Sequence, residues 1–306
     1  GLAFVKAGGN ATLALARLAS AIGYKLTAGA LARLPANMPL PKPAPPLPRT
    51  GAGESDTLQE VVYYPSCLTR MLGALPGEHA PVGLAEAVVT TLKQCGWNAV
   101  IPTGVGGTCC GQPFYSKGFY EAQRESARRT FALLWEASQG GKLPIVTDAS
   151  PCGGELNNYG KLLSGADAAN WRRLKIHDFS AFMARVVLPK RTDWPKTERR
   201  IVLHPTCTLM KRGELADFKR VASTFAGEVV VPVMVECCGF AGDKGFSLPE
   251  LTRSATQHEA REVQSCGADG HYSTCRTCEI GLTAATGQVY QSIVYLCYEA
   301  LVTSRA

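Results

Sequence analysis

The sequence predicts an α/β protein made of two related parallel-sheet halves, with a helical segment and a proline-rich linker ahead of them. Three observations carry that reading. Short β-branched runs alternate with helical stretches from residue 59 onward. The same cysteine pattern is written twice. Seven prolines crowd "LPANMPLPKPAPPLPRTGAG" (34–53) and separate an alanine- and leucine-rich start from the strand-bearing remainder. The expected division is 1–34, a helical segment; 35–58, an extended linker; 59–197, a first domain; and 198–306, a second.

The elements are justified in order. "ATLALARLASAIGYKL" (11–26) reads as a packing helix, too short to span a bilayer comfortably. "EVVYYPSC" (60–67) is a strand stopped at Pro65. A helix over 82–95 places Leu84, Val88 and Leu92 on one face and stops at Gly96. "NAVIPTG" (98–104) is the next strand, and 119–138 a long helix with Ala127, Phe131 and Leu134 on its inner face. "LPIVTDASPC" (143–152) is a third strand. The second half repeats the order: strands at 199–207, 228–238 and 270–278, and helices at 209–225, 248–265 and 283–301. Ser247 and Glu250 suggest a capping box for the helix at 248. Asp178 suits the N-cap of a helix holding Phe182 and Met183.

Twelve cysteines in a chain that is 46% apolar and 19% charged argue for metal or redox chemistry in a reducing cytosol, not for a disulfide framework. The net charge of +7 is spread over scattered basic pairs, which suit solvated faces. No interleaving of basic and aromatic residues suggests nucleic acid. The chain begins with Gly, as expected of a processed chain or a piece of a longer polypeptide. No secretory signal pattern, P-loop, nucleophile elbow or dinucleotide fingerprint is present.

"YYPSCLTRM" (63–71) aligns with "LHPTCTLMK" (203–211), "GTCCGQPFYSKGF" with "VECCGFAGDKGF", and "DASPCGGEL" with "YSTCRTCEIGL". The second half then reads C-x29-CC-x36-C-x2-C: Cys207, Cys237, Cys238, Cys275 and Cys278. The first reads C-x41-CC-x41-C: Cys67, Cys109, Cys110 and Cys152, with Ala149 where Cys275 stands. In a parallel sheet these cysteines fall at the carboxyl ends of strands, the edge where ligands bind. Thiolates select zinc or iron–sulfur clusters. One tetrahedral zinc needs four ligands. Five thiolates that include an adjacent pair suit neighbouring irons of a cluster better. For the four-cysteine half, a cluster and zinc both stay open. Gly111 and Gly239 let the backbone bend closely around such a group, and a helix after each pair would favour thiolate. Lys117 and Lys244 recur at matching places and read as charge compensation or as exposed lysines. His204 takes the place of Tyr64 and reads as a packed loop histidine or a residue that tunes a cluster by hydrogen bonding. Cys95, Cys266 and Cys297 fall outside the repeat and read as structural.

This duplicated Cys-Cys-Gly arrangement resembles the cysteine-rich CCG domain family over about 60–300. That family includes the CCG-bearing component of heterodisulfide reductase and the iron–sulfur parts of glycolate oxidase, anaerobic glycerol-3-phosphate dehydrogenase and lactate-utilisation proteins. "YYPSCLTRMLG", "GTCCGQPFYSKGF", "VTDASPC" and "LHPTCTLM" are most similar to the C-terminal iron–sulfur part of FAD-linked D-lactate dehydrogenases. The resemblance implies Rossmann-like CCG halves and a [4Fe–4S]-type cluster at Cys207, Cys237, Cys238, Cys275 and Cys278. A second cluster or zinc would sit at Cys67, Cys109, Cys110 and Cys152. It also implies FAD on a partner domain or subunit, a ferredoxin-like iron–sulfur segment as neighbour and a quinone or cytochrome as acceptor. The expected location is cytoplasmic, with peripheral association with the inner face of the membrane as an option. The rival readings are a heterodisulfide reductase-like thiol/disulfide redox subunit and a zinc-stabilised interaction module.

Overall fold

A computed structural model describes residues 38–53 and 57–303. The helix read over 11–26 lies outside them. The first half holds β1 (Gln59–Tyr64), α1 (Cys67–Met71), α2 (Leu84–Gln94), β2 (Trp97–Val100), α3 (Gln112–Tyr115), α4 (Tyr120–Ala137), β3 (Ile145–Thr147), α5 (Ser150–Leu156), α6 (Gly165–Trp171), β4 (Ile176–Asp178) and α7 (Phe179–Phe182). The second holds β5 (Thr197–Leu203), α8 (Cys207–Lys211), α9 (Leu215–Phe225), β6 (Ala226–Val230), α10 (Pro249–Ser265), β7 (Gly270–Ser273), α11 (Arg276–Thr286), β8 (Tyr290–Ser292) and α12 (Ile293–Thr303).

Each half is a four-stranded, wholly parallel sheet, in the orders β2-β1-β3-β4 and β6-β5-β7-β8. Parallel strands require crossover connections, and helices supply them on the faces. The central strands are accordingly apolar and fully buried, as Val61, Val62, Ile201 and Val202 show.

The halves share a core. Val61, Tyr63, Ile201 and Leu203 belong to one cluster with Leu92, Phe182, Phe218, Phe225 and Leu296. α2 of the first half packs on α12 of the second, and the reciprocal pair, α9 on α7, does the same. α1 packs on α11, and reciprocally α8 on α5. Such reciprocity is that of a two-fold interface between like units, here within one chain. Two buried arrangements lock it. The Arg276 guanidinium donates to both carboxylate oxygens of Glu78, at 2.8 and 3.1 Å. The Ser150 amide donates to the Thr274 carbonyl at 3.0 Å.

Five sequence expectations need correction. The strand read over 228–238 ends at Val230, because Pro232 offers no amide to the ladder, so Cys237 and Cys238 stand in a loop. The 209–225 helix is two, α8 and α9, because Gly213 adopts φ +69° between them. The 283–301 helix is interrupted. α11 ends at Gly287 (φ +74°), a left-handed cap that glycine accepts without strain, and β8 comes next. Together with β4 this strand was missed, because each is three residues long and neither alternates. The capping box at 247–250 does not form. The Ser247 hydroxyl donates to the Lys244 carbonyl, and α10 opens instead on Pro249 at its first position. Finally, the proline-rich segment is extended but not free. Lys42 and Ala44 donate to Ala74 and Met71, Pro43 bridges Leu72, and Met38 is buried. Its backbone groups pair with the end of α1 and with the α1–α2 connection. Asp178, by contrast, caps α7 as expected, accepting from the Ser180 amide at 3.0 Å.

Candidate metal centre

Cys67, Cys152, Cys207, Cys275 and Cys278 follow closely on strand ends, whereas Cys109-Cys110 and Cys237-Cys238 stand in loops beyond β2, which ends at Val100, and β6, which ends at Val230. Ser66 and Thr206 cap α1 and α8 with their hydroxyls, so Cys67 and Cys207 occupy the first position of a helix. Cys152 and Cys278 lie in the first turns of α5 and α11. Helix N-termini carry partial positive charge and favour thiolate. The sequence placed that field after the Cys-Cys-Gly motifs. The structure puts it chiefly at the other cysteines. α3 does begin directly after Gly111, but after Gly239 a short turn precedes α10.

The first set closes into a chain of contacts: Cys67 with Cys109, Cys109 with Cys110, and Cys110 with Cys152 at 3.4 Å. The second runs Cys207, Cys237, Cys238, Cys278, Cys275, with Cys238 and Cys278 2.8 Å apart. All nine repeat cysteines therefore converge into two nests, four thiols in one and five in the other. Both nests lie at the carboxyl edges of their sheets. None is in a disulfide.

In the first nest one thiol takes the charge, and in the second Cys237 and Cys275 share it. Cys109 is drawn down to about 3, first by hydrogen bonds from Cys110 and Cys67, then by the Gly111 amide. Its counterpart Cys237 is drawn down to about 2 by Cys207 and Cys238, with the Gly239 amide 3.4 Å from its sulfur. Their neighbours Cys67, Cys110, Cys207 and Cys238 are pushed up, chiefly by the same hydrogen bonds and then by burial. Cys275 is lowered to about 6, mainly by Cys278. A nest that shares protons around one thiolate can give those protons up when a cation arrives.

The two nests differ in their surroundings. In the first, Arg70 donates to the Val105 and Thr108 carbonyls, both at 2.6 Å, and fixes the loop that leads to the cysteine pair. The second has Met210 at that place. Ala149 and Cys275 have matching extended backbones (φ −133°, ψ 117° and φ −157°, ψ 120°) and are both buried. The missing thiol is thus a difference of side chain and not of fold. Tyr64 accepts from the Thr108 hydroxyl at 3.3 Å. At the equivalent place, fully buried His204 bonds through Nδ1 to Glu259 at 2.8 Å. A ring nitrogen of His204 and the sulfurs of Cys238 and Cys278 lie within 4.8 Å of one another. Sequence reasoning did not find Glu259, which sits in a polar stretch of α10 with nothing to distinguish it.

Other expectations resolve simply. Lys117 spends its charge on Asp243, 2.7 Å away across the two halves, in an exposed pair. Cys297 is buried in the shared core, its thiol pushed up by burial. Cys95 and Cys266 cap the carboxyl ends of α2 and α10. A cavity of about 530 Å³, walled by Pro45, Pro46, Leu47, Arg70 and Met71, opens onto Cys67. No helix among the described residues is long and apolar enough to cross a membrane.

The family model for the CCG cysteine-rich domain matches residues 61–157 and 201–283, one match for each nest-bearing half. The chain belongs to the CCG cysteine-rich domain family. Among curated CCG-type relatives it is 22% identical over 196 residues to lactate utilization protein A 2 of Bacillus cereus, covering 61% of this chain and 77% of that one. Lactate utilization protein A 1 of Bacillus anthracis matches to the same extent. Lactate utilization protein A of Oceanobacillus iheyensis is 23% identical over 222 residues, 69% of this chain and 82% of that one. A crystal structure from Yersinia pestis described as an Asp/Glu racemase shares 11% identity over 81% of this CCG chain and all of its own. Its TM-score of 0.33 is too low to argue from.

Proposed function

We propose that this chain is the iron–sulfur electron-transfer part of a FAD-linked 2-hydroxy-acid (D-lactate-like) dehydrogenase. It would take electrons from a flavin domain or flavin subunit through a ferredoxin-like segment, towards a quinone or cytochrome in or at the inner face of the membrane. The observation that carries the reading is the pairing of the nests. The helix bearing Cys67 packs on the helix bearing Cys278, and the helix bearing Cys207 on that bearing Cys152. Two centres held at these cysteines would meet across the interface that those helices form. Likeness to proteins named for lactate utilization supports the substrate class.

The donor sets fit such groups. Cys207, Cys237, Cys238, Cys275 and Cys278 would hold a [4Fe–4S]-type cluster. Cys67, Cys109, Cys110 and Cys152 would hold a second cluster or a zinc ion. A bound cluster supplies one-electron carriage. The chain's own part is to bury Cys110, Cys152, Cys238, Cys275 and Cys278 from water and to gather each set of thiols around one readily ionised cysteine, Cys109 or Cys237.

Oxygen-free purification with iron, sulfide and zinc assays on Cys67→Ser and Cys207→Ser tests the reading. Each variant is expected to lose the metal of its own half and keep the other. Colourless material without sulfide, carrying stoichiometric zinc, would point instead to a zinc-stabilised interaction module. A second reading, a thiol/disulfide redox subunit, is favoured by the cavity that opens onto Cys67. Turnover of small disulfides, abolished by Cys67→Ser, would select it.

A further inference from the structure

Among the described residues, His204 is a buried group at the second nest that the thiol pattern does not account for. Its side chain is wholly inaccessible, as is that of Glu259 to within 2%. The Glu259 carboxylate occupies Nδ1, and Nε2 has no hydrogen-bond partner among the described residues. A buried imidazole nitrogen without a partner forfeits the hydrogen bond it makes to water in the unfolded chain, so its retention calls for something to bond. The ring stands beside Cys238 and Cys278, the two sulfurs in closest contact in that nest.

We propose that His204 is a nitrogen ligand of the second centre, bonding metal through Nε2 beside Cys238 and Cys278. The inference rests on the reading that this nest holds a metal. With the Glu259 carboxylate accepting from Nδ1–H, the tautomer is fixed and the lone pair is left on Nε2, the ring nitrogen without a partner. A histidine that gives its other N–H to a carboxylate is the usual arrangement of a metal-bound imidazole, and the carboxylate raises its basicity. The first nest cannot copy this, because Tyr64 stands at that position and its hydroxyl is engaged by Thr108. The two centres therefore differ in ligand chemistry as well as in thiol count.

The test uses the full chain purified without oxygen, as wild type and as Cys67→Ser, with histidine supplied in 14N or 15N form. Pulsed electron paramagnetic resonance of reduced and oxidised samples is expected to show strong histidine-nitrogen coupling that changes with isotope and is lost in His204→Ala. An iron–sulfur signal with no such coupling, or with the weak coupling of a hydrogen bond, overturns the inference and leaves the electron-transfer reading standing. Where both oxidation levels are silent, Mössbauer spectra of 57Fe protein decide. One iron site altered by His204→Ala supports ligation, and identical spectra overturn it. Glu259→Gln, which keeps the ring in place, is expected to weaken metal retention against a chelator about 10- to 100-fold; unchanged retention overturns the orienting role. Protein that carries zinc and no iron removes the electron-transfer reading instead. Cadmium substitution then tests the ligand, since a 113Cd resonance split by 15N-histidine supports it and an unsplit one overturns it.

Discussion

The Thr274 and Ser150 hydroxyls meet at 2.6 Å, and Ser150 also donates to the buried Asp178 carboxylate at 2.8 Å. Ser150 is the donor to both, and its single hydroxyl proton serves one acceptor at a time, which makes the three side chains a relay. That relay ties the carboxyl end of β7 to those of β3 and β4, between the two nests. Thr274→Val removes one acceptor and leaves Ser150 bonded to Asp178. The expected cost is about 1 kcal/mol, read from the denaturation midpoint, with metal content per chain unchanged. Ser150→Ala takes a donor from a buried carboxylate and should cost more, about 1–3 kcal/mol. Loss of metal from either nest in Thr274→Val would show that the relay shapes the sites and does not merely join the halves.

Ala149 and Cys275 occupy equivalent extended caps, so Ala149→Cys should convert the four-thiol nest into a five-thiol one without moving the backbone. The position is buried, at 3% exposure, and the added sulfur is expected to cost about 1–3 kcal/mol in the metal-free chain through overpacking. In oxygen-free preparations the first half should then bind the metal group typical of the second, read as altered iron content and spectra in a Cys207→Ser background. An unchanged first centre would mean that Tyr64 and Arg70, and not the fifth thiol, decide what that half holds.

The layout of the fold was legible because the strongest signals were local. Apolar strand runs ending in cysteine marked β1, β3, β5 and β7, and the duplicated spacing marked the repeat. The features that escaped notice depended on distance in sequence. β4 and β8 are three residues long and are strands only because β3 and β7 lie beside them. The reciprocal packing of α2 on α12 and α9 on α7 cannot be seen in amphipathic periodicity, which shows that a face is covered and not by what. The candidate site followed the same division. Nine cysteines could be named by spacing, whereas the Glu259 contact to His204 joins residues 55 apart and left no mark on either segment. The proline-rich stretch misled because composition reports backbone preference and not the partners that Lys42 and Ala44 find.

Gly239 follows the second cysteine pair with φ +69°, and a Cβ there would lie 2.6 Å from the Leu251 carbonyl oxygen and 2.8 Å from Ala255 Cβ. Both neighbours belong to the backbone or the tight face of α10, so they cannot swing aside. Gly111 has φ +97°, but its Cβ would first meet the Gln123 side chain at 3.3 Å, a contact that a shift of a few tenths of an ångström relieves. Gly239→Ala should therefore be the more damaging, by about 1–3 kcal/mol from backbone strain alone with the clash in addition, and should lower metal content in the second half only. Gly111→Ala should lose the strain energy but keep most of its metal. Thermal unfolding with metal assay compares them, and equal losses would mean the approach of α10 to the pair is not what fixes Cys238.

His271 gives the fold a defined acid limb. It lies in β7, 5% exposed, against the Tyr290 ring at 5.3 Å, with Nε2 unpartnered among the described residues. Burial alone draws its imidazolium down to about 4 from the ordinary 6.5. The folded-state value is the lower one, so between those two values the unfolded chain binds the extra proton. Stability from this residue is therefore complete above about pH 6.5 and is lost as pH falls towards 4. At 1.36 kcal/mol per pKa unit, the loss at pH 4.5 is about 2–3 kcal/mol. His271→Phe keeps the ring packing and removes the titration. Urea midpoints at pH 7.0, 5.5 and 4.5 should show the variant falling less steeply than the parent. Asp178, pushed up to about 6 mainly by burial, works in the opposite direction over part of this window. It is present in both proteins and drops out of the difference. Parallel curves for parent and variant would place the acid sensitivity elsewhere than in β7.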